Sequence, residues 1–196
     1  MLTLIIAAIV AGVAAFLFVK IGMAGFSAKP DPGRLETWLA YRGRDVALPS
    51  SVKKLTNPVA DSPEVQKEAR AHWADHCAVC HANNGSGDTM IGRGLYPRAP
   101  DMRARTTQQR SDGELFWDIE NGVRMTGMPA WGGTDAGQDS WKLVRFIRHL
   151  PELTPTEEAE MEKLNPKSPD DKEEEQNEED FLKGGEAHEQ HSAHHH

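Results

Sequence analysis

The chain has 196 residues, 22 Lys and Arg against 30 Asp and Glu, a formal net charge of −8, and only two cysteines. That length gives one domain or one small domain with appendages, and two cysteines leave no disulfide framework. The acidity is local: residues 165–196 hold three Lys and ten Asp or Glu, a net of −7, so residues 1–164 carry −1. No basic face is present to support nucleic-acid binding.

Residues 1–26 open the chain with an uncharged apolar run from Leu2 to Val19 that resumes after Lys20. Eighteen helical residues rise about 27 Å, so this stretch reads as a transmembrane anchor. A signal peptide cleaved near Gly22-Met23-Ala24 is the competing reading. Residues 27–61, with their prolines, glycines and basic residues, read as a linker lying partly on the domain surface. Within it a short helix is expected from Pro32 through Tyr41, with Leu35, Trp38 and Leu39 on one side.

A domain is expected over 62–164. Ser62-Pro63 is a helix start, Ser as cap and Pro at the first helical position. Val65, Ala69, Trp73, Cys77 and Cys80 follow at helical spacing, which places both thiols on one buried face. Asn83-Asn84-Gly85-Ser86-Gly87 ends that helix and opens a loop to about Arg110, with arginines at 93, 98, 103, 105 and 110. Ser111-Asp112-Gly113-Glu114 and Thr154-Pro155-Thr156-Glu157 are capping boxes, opening helices that turn Leu115, Phe116 and Ile119, and Met161 and Leu164, inward. Between them lie a glycine-punctuated loop holding Met125 and Met128, and a helix from about Asp139 to Leu150 stopped by Pro151. Residues 165–196 read as a disordered acidic tail with five histidines, at 188, 191, 194, 195 and 196.

The chemistry is concentrated in Cys77-Ala78-Val79-Cys80-His81. Two thiols three apart on a helical turn can each add to a vinyl group of one haem, and the adjoining imidazole is placed to bind the iron. A thioether opposite the imidazole gives an electron-transfer site of raised potential. Met128 and Met125 are the candidates; Pro129 stiffens the loop after the first, and the second more simply fills a pocket wall. A thioredoxin-like dithiol would want a βαβ setting, and a structural zinc a second ligand pair; neither is visible. The loop arginines are candidates for haem propionates or an acidic partner, and equally for a solvated loop.

Over residues 62–151 the chain resembles the class I c-type cytochromes, in particular single-haem, membrane-anchored bacterial members. The resemblance rests on the Cys77–His81 motif, Gly85-Ser86-Gly87-Asp88, Pro100-Asp101-Met102, Asn121-Gly122, Met128-Pro129-Ala130-Trp131 and the helix ending at Leu150-Pro151. It implies an all-α cytochrome c fold around one covalently bound haem c. It also implies His81 as proximal and Met128 as distal ligand, and a backbone carbonyl at Pro100, with Pro97 as rival, orienting the imidazole.

The implied function is a membrane-tethered electron carrier rather than an enzyme. It would sit in the inner membrane by a single pass, with its haem domain in the periplasm and membrane or periplasmic redox proteins as partners. A soluble periplasmic form is the variant if the leader is cleaved. Alternatives are a haem-bearing subunit of a respiratory complex, a haem enzyme with an open iron site, and a metal-handling or sensor protein binding a divalent ion at the tail histidines.

Overall fold

A computed structural model describes residues 1–24, 27–133 and 137–165, together with 173, 176, 177 and 181. Helices connected by loops make up the described residues, with no strand among them. The core is a crossing of two helices, α3 (Pro63–His72) and α8 (Gln138–His149). Ser62 caps α3 by accepting from the Val65 N–H at 3.2 Å. The apolar spacing of α8 buries Leu143, Val144, Phe146 and Ile147 together. Trp73, just beyond α3, meets Phe146 edge-on at 5.6 Å between ring centroids. Each such large side chain fully buried contributes about 1.5–3 kcal/mol, so this crossing is the firmest part of the fold.

Helix α7 (Asp112–Asn121) packs on α8 through Leu115 and Ile119, and Phe116 stacks on Trp141 with centroids 4.0 Å apart. Arg148 ties the two, reaching Asp112 at 2.8 Å and the Gln108 carbonyl at 2.7 Å. Helix α9 (Pro155–Leu164) closes the far side by burying Met161, while Leu164 stays exposed. Both capping boxes form. After α4 (Ala78–His81) ends the motif, the stretch expected to be loop carries two short helices, α5 (Met90–Gly94) and α6 (Arg105–Gln108).

The N-terminal part departs from expectation. Helix α2 runs Arg34–Ala47, longer than the Pro32–Tyr41 stretch, because nothing after Gly43 breaks it until Pro49 forces Leu48 into extended backbone. Leu35, Trp38 and Leu39 are exposed. Its continuation docks instead: Leu48 is buried, and Val52 is buried against α7.

Helix α1 (Leu2–Ala24) exposes its apolar side chains from Leu2 to Phe18. Among the described residues no helix is long and apolar enough to cross a membrane. The single-pass inner-membrane anchor, and the localisation built on it, are therefore corrected. The tail expected to be disordered lies almost entirely outside the described residues, as do the five tail histidines; no metal-holding cluster of three or more ligating side chains occurs among the described ones.

Candidate haem-binding site

Helix α3 does not run smoothly into the motif. Residues Trp73–Cys77 form a single wide turn in which the Ala78 N–H donates to the Trp73 carbonyl, five residues back. The extra residue re-aims the thiols relative to a regular helix. Cys77 packs against the core edge, whereas Cys80 is more open. Burial pushes the Cys77 thiol up to about 12, with the neighbouring Cys80 adding to it. Burial raises Cys80 as well.

The carbonyls at the end of this turn are claimed by a residue that spacing alone did not single out. Thr89 caps α5, accepting from the Gly92 N–H at 2.8 Å while its hydroxyl donates to the Val79 carbonyl at 2.9 Å. Gly92 sits so near the Cys80 carbonyl that no Cβ would fit. The T-x-x-G spacing before a short helix was the available sign of this cap.

His81 is held from below. Trp73 Nε1–H donates to the Ala82 carbonyl at 3.0 Å, and its ring lies 5.7 Å from the imidazole, centroid to centroid. Gly85 and Gly87 both take positive φ, and the Gly87 N–H returns to the His81 carbonyl at 2.9 Å. That turn brings in the next loop, since the Met102 N–H reaches the Gly85 carbonyl at 2.7 Å and the Ala99 N–H reaches Gly92 at 3.0 Å. Pro100 is thereby carried to the imidazole. His81 Nδ1 is buried without a hydrogen-bond partner, and the Pro100 backbone is the one neighbour that favours the protonated ring. Burial dominates and lowers the His81 pKa, with the Pro100 contact opposing. The ring is therefore neutral near pH 7, and an N–H at Nδ1 leaves Nε2 as a lone pair.

The methionine loop is fixed at both ends. Gly122 takes φ +66°, where a Cβ would stand 2.6 Å from the Pro129 carbonyl carbon. The Trp131 N–H donates to the Ile119 carbonyl at 2.9 Å, and Gly132 to Glu120 at 3.0 Å. Inside the loop the Val123 N–H reaches the Met128 carbonyl at 3.2 Å, and Thr126 Oγ1 accepts from the Met128 N–H at 3.1 Å. Met128 packs against the core margin, as does Cys77. Met125 is 91% exposed. The five loop arginines are largely committed within the chain: Arg93 to Asp88, Arg98 to Asp31, Arg103 to Asp101 and Arg110 to Asp118.

The donor set of two thiols, a neutral buried imidazole and a thioether turned to the same core fits a haem bound through its vinyl groups and its iron. The crossing of α3 and α8 beside a C-x-x-C-H turn defines a c-type cytochrome. The sequence model of the family described as cytochrome c oxidase, cbb3-type, subunit III matches residues 64–147, and this stretch is a c-type cytochrome domain carrying covalently bound haem c. No curated protein matches the chain. The domain serves haem c electron transfer.

Proposed function

We propose that the chain is a one-electron carrier holding a single haem c, with Cys77 and Cys80 as thioether attachments, His81 as proximal ligand and Met128 as distal ligand. Bound there, the haem iron supplies a one-electron couple between ferric and ferrous states. Each thiol adds its sulfur and hydrogen across one vinyl double bond, so attachment changes no oxidation state. Pro100 orients the imidazole and strengthens it as a donor. The Gly122–Trp131 loop delivers Met128 and keeps water from the distal side, and a thioether ligand raises the potential.

The observation that carries this reading is the difference between the two methionines: Met128 packs against the core that also meets Cys77, whereas Met125 is 91% exposed. The test is visible spectroscopy of the full chain matured with haem c assembly factors. A ferric charge-transfer band at the red edge, lost in Met128→Ala and kept in Met125→Ala, is expected. A high-spin ferric spectrum in the unaltered protein overturns the ligation and favours an open-site haem enzyme.

The description of the matching family favours a second reading, in which this chain serves as the haem c subunit of an oxidase. Co-purification with oxidase activity at fixed stoichiometry supports the subunit. A monomer that is reduced and reoxidised by separate partners supports the free carrier.

A further inference from the structure

The segment from Asp31 to Val52 lies outside the matched residues 64–147, yet it is tied to the domain at several points. Asp31 pairs with Arg98 at 3.0 Å. Glu36 Oε1 accepts from the Tyr96 hydroxyl at 2.6 Å. Arg44 approaches Asp118 at 3.7 Å, in a pocket where Asp118 is 15% exposed and Arg110 also reaches it at 3.1 Å. Beyond α2, Leu48 and Val52 are buried, and the Val52 carbonyl fills the space above Gly113 so closely that no Cβ would fit there.

These ties converge on the elements that hold the methionine loop. Tyr96 and Arg98 continue directly from Leu95, whose side-chain methyls occupy the space a Cβ on Gly127 would need, one residue before Met128. Asp118 and Gly113 belong to α7, whose last turn receives the Trp131 and Gly132 N–H groups. The loop is thus braced from two sides, and the same N-terminal segment grips both braces.

We propose that residues 31–52 form a strap that positions the Met128 loop, with Glu36 and Arg44 as positioning residues that act through Leu95 and α7. The strap lowers the rate at which the distal side opens, so it governs access of small ligands to the iron. This rests on the reading of Met128 as the distal ligand. Polar ties at a surface are individually weak, so no single one holds the strap, and releasing several together loosens it.

The test uses the full-length, haem-loaded protein and the variant Asp31→Asn/Glu36→Gln/Arg44→Gln, with Tyr96→Phe as a milder change that removes one tie. Amide hydrogen exchange over 34–47 and 122–132 is compared with the rate at which the ferric protein binds imidazole. In the triple variant, exchange in both segments and imidazole binding are expected to rise about fivefold, with a smaller rise in Tyr96→Phe. Faster exchange over 34–47 with 122–132 and imidazole binding unchanged overturns the proposal, and so does unchanged exchange over 34–47. The exchange comparison is independent of ligation: an unaltered protein lacking the red-edge band sinks the Met128 reading, while coupled exchange of the two segments still decides whether the strap braces the loop.

Discussion

His76 and Trp131 meet edge to face, ring centroids 5.6 Å apart and planes at 90°. One stands immediately before Cys77 and the other three residues after Met128, so this contact joins the helix bearing the haem thiols to the loop bearing the distal thioether. Trp131 remains 40% exposed; its role is a clasp at the rim rather than core filling.

Trp131→Ala is expected to lower unfolding stability by about 1 kcal/mol beyond the lost area, the usual worth of such an aromatic pair. The ferric red-edge band should weaken in parallel, and Trp131→Phe should restore most of both. Denaturant titration and absorbance on the same samples check this; an unchanged band in the alanine variant shows that the clasp does not constrain Met128.

Gly122 makes a sharper demand on the same loop. Alanine there would combine a left-handed φ of +66° with a Cβ 2.6 Å from Pro129. Gly122→Ala is expected to cost about 2 kcal/mol or more. Gly94→Ala, at a position with open space around it, is the control and should cost well under 1 kcal/mol. Equal losses at the two sites would mean that the turn at Gly122 relaxes freely.

The two thiols should differ before haem is attached. With Cys77 pushed up to about 12 by burial and by Cys80, its thiolate fraction at pH 8 falls roughly a thousandfold below that of a thiol at its ordinary value. Cys80, more open and raised by burial alone, is expected to alkylate with iodoacetamide at least about tenfold faster. Peptide mapping after brief labelling of the haem-free chain distinguishes them, and equal labelling contradicts the buried placement of Cys77.

Much of this site is legible in the residues because its signals are local. Ser111 with Glu114, and Thr154 with Glu157, set helix starts by hydrogen bonds spanning three residues, and both form. The Leu143–Ile147 pattern states which side of α8 is buried. The wide turn at Trp73–Cys77 is different, since five-residue and four-residue hydrogen bonding place the same residues only slightly apart in phase. Arg44 and Asp118, 74 positions apart, carry no mutual signal in a single sequence, so the docking of residues 31–52 stays hidden until the chain is folded. The reading of Leu2–Val19 as an anchor counted apolar residues alone, whereas among the described residues no helix is both long and apolar enough to cross a membrane.

Asp118 gives the clearest pH signature. Its carboxyl is raised from 3.8 to about 6, chiefly by burial; Arg44 opposes the rise and Glu114 adds to it. A carboxyl with a folded pKa above its unfolded one takes up its proton first in the folded state. It therefore costs stability at pH 7, and that cost is relieved as pH falls from above 6 toward 4. A difference of that size corresponds to at most about 3 kcal/mol. Asp118→Asn removes the titration, so the stability of the unaltered protein relative to the variant should rise between pH 7 and pH 4, most steeply between the folded value of about 6 and the unfolded value of 3.8. Urea titrations at each pH give the difference directly, and cancel every group the two proteins share. Parallel curves would mean that Arg44 and Arg110 hold the carboxylate ionised as readily as water does. Ionising Asp118 would then neither cost nor stabilise the fold, and a stabilising ion pair would show instead as relative stability lost as pH falls.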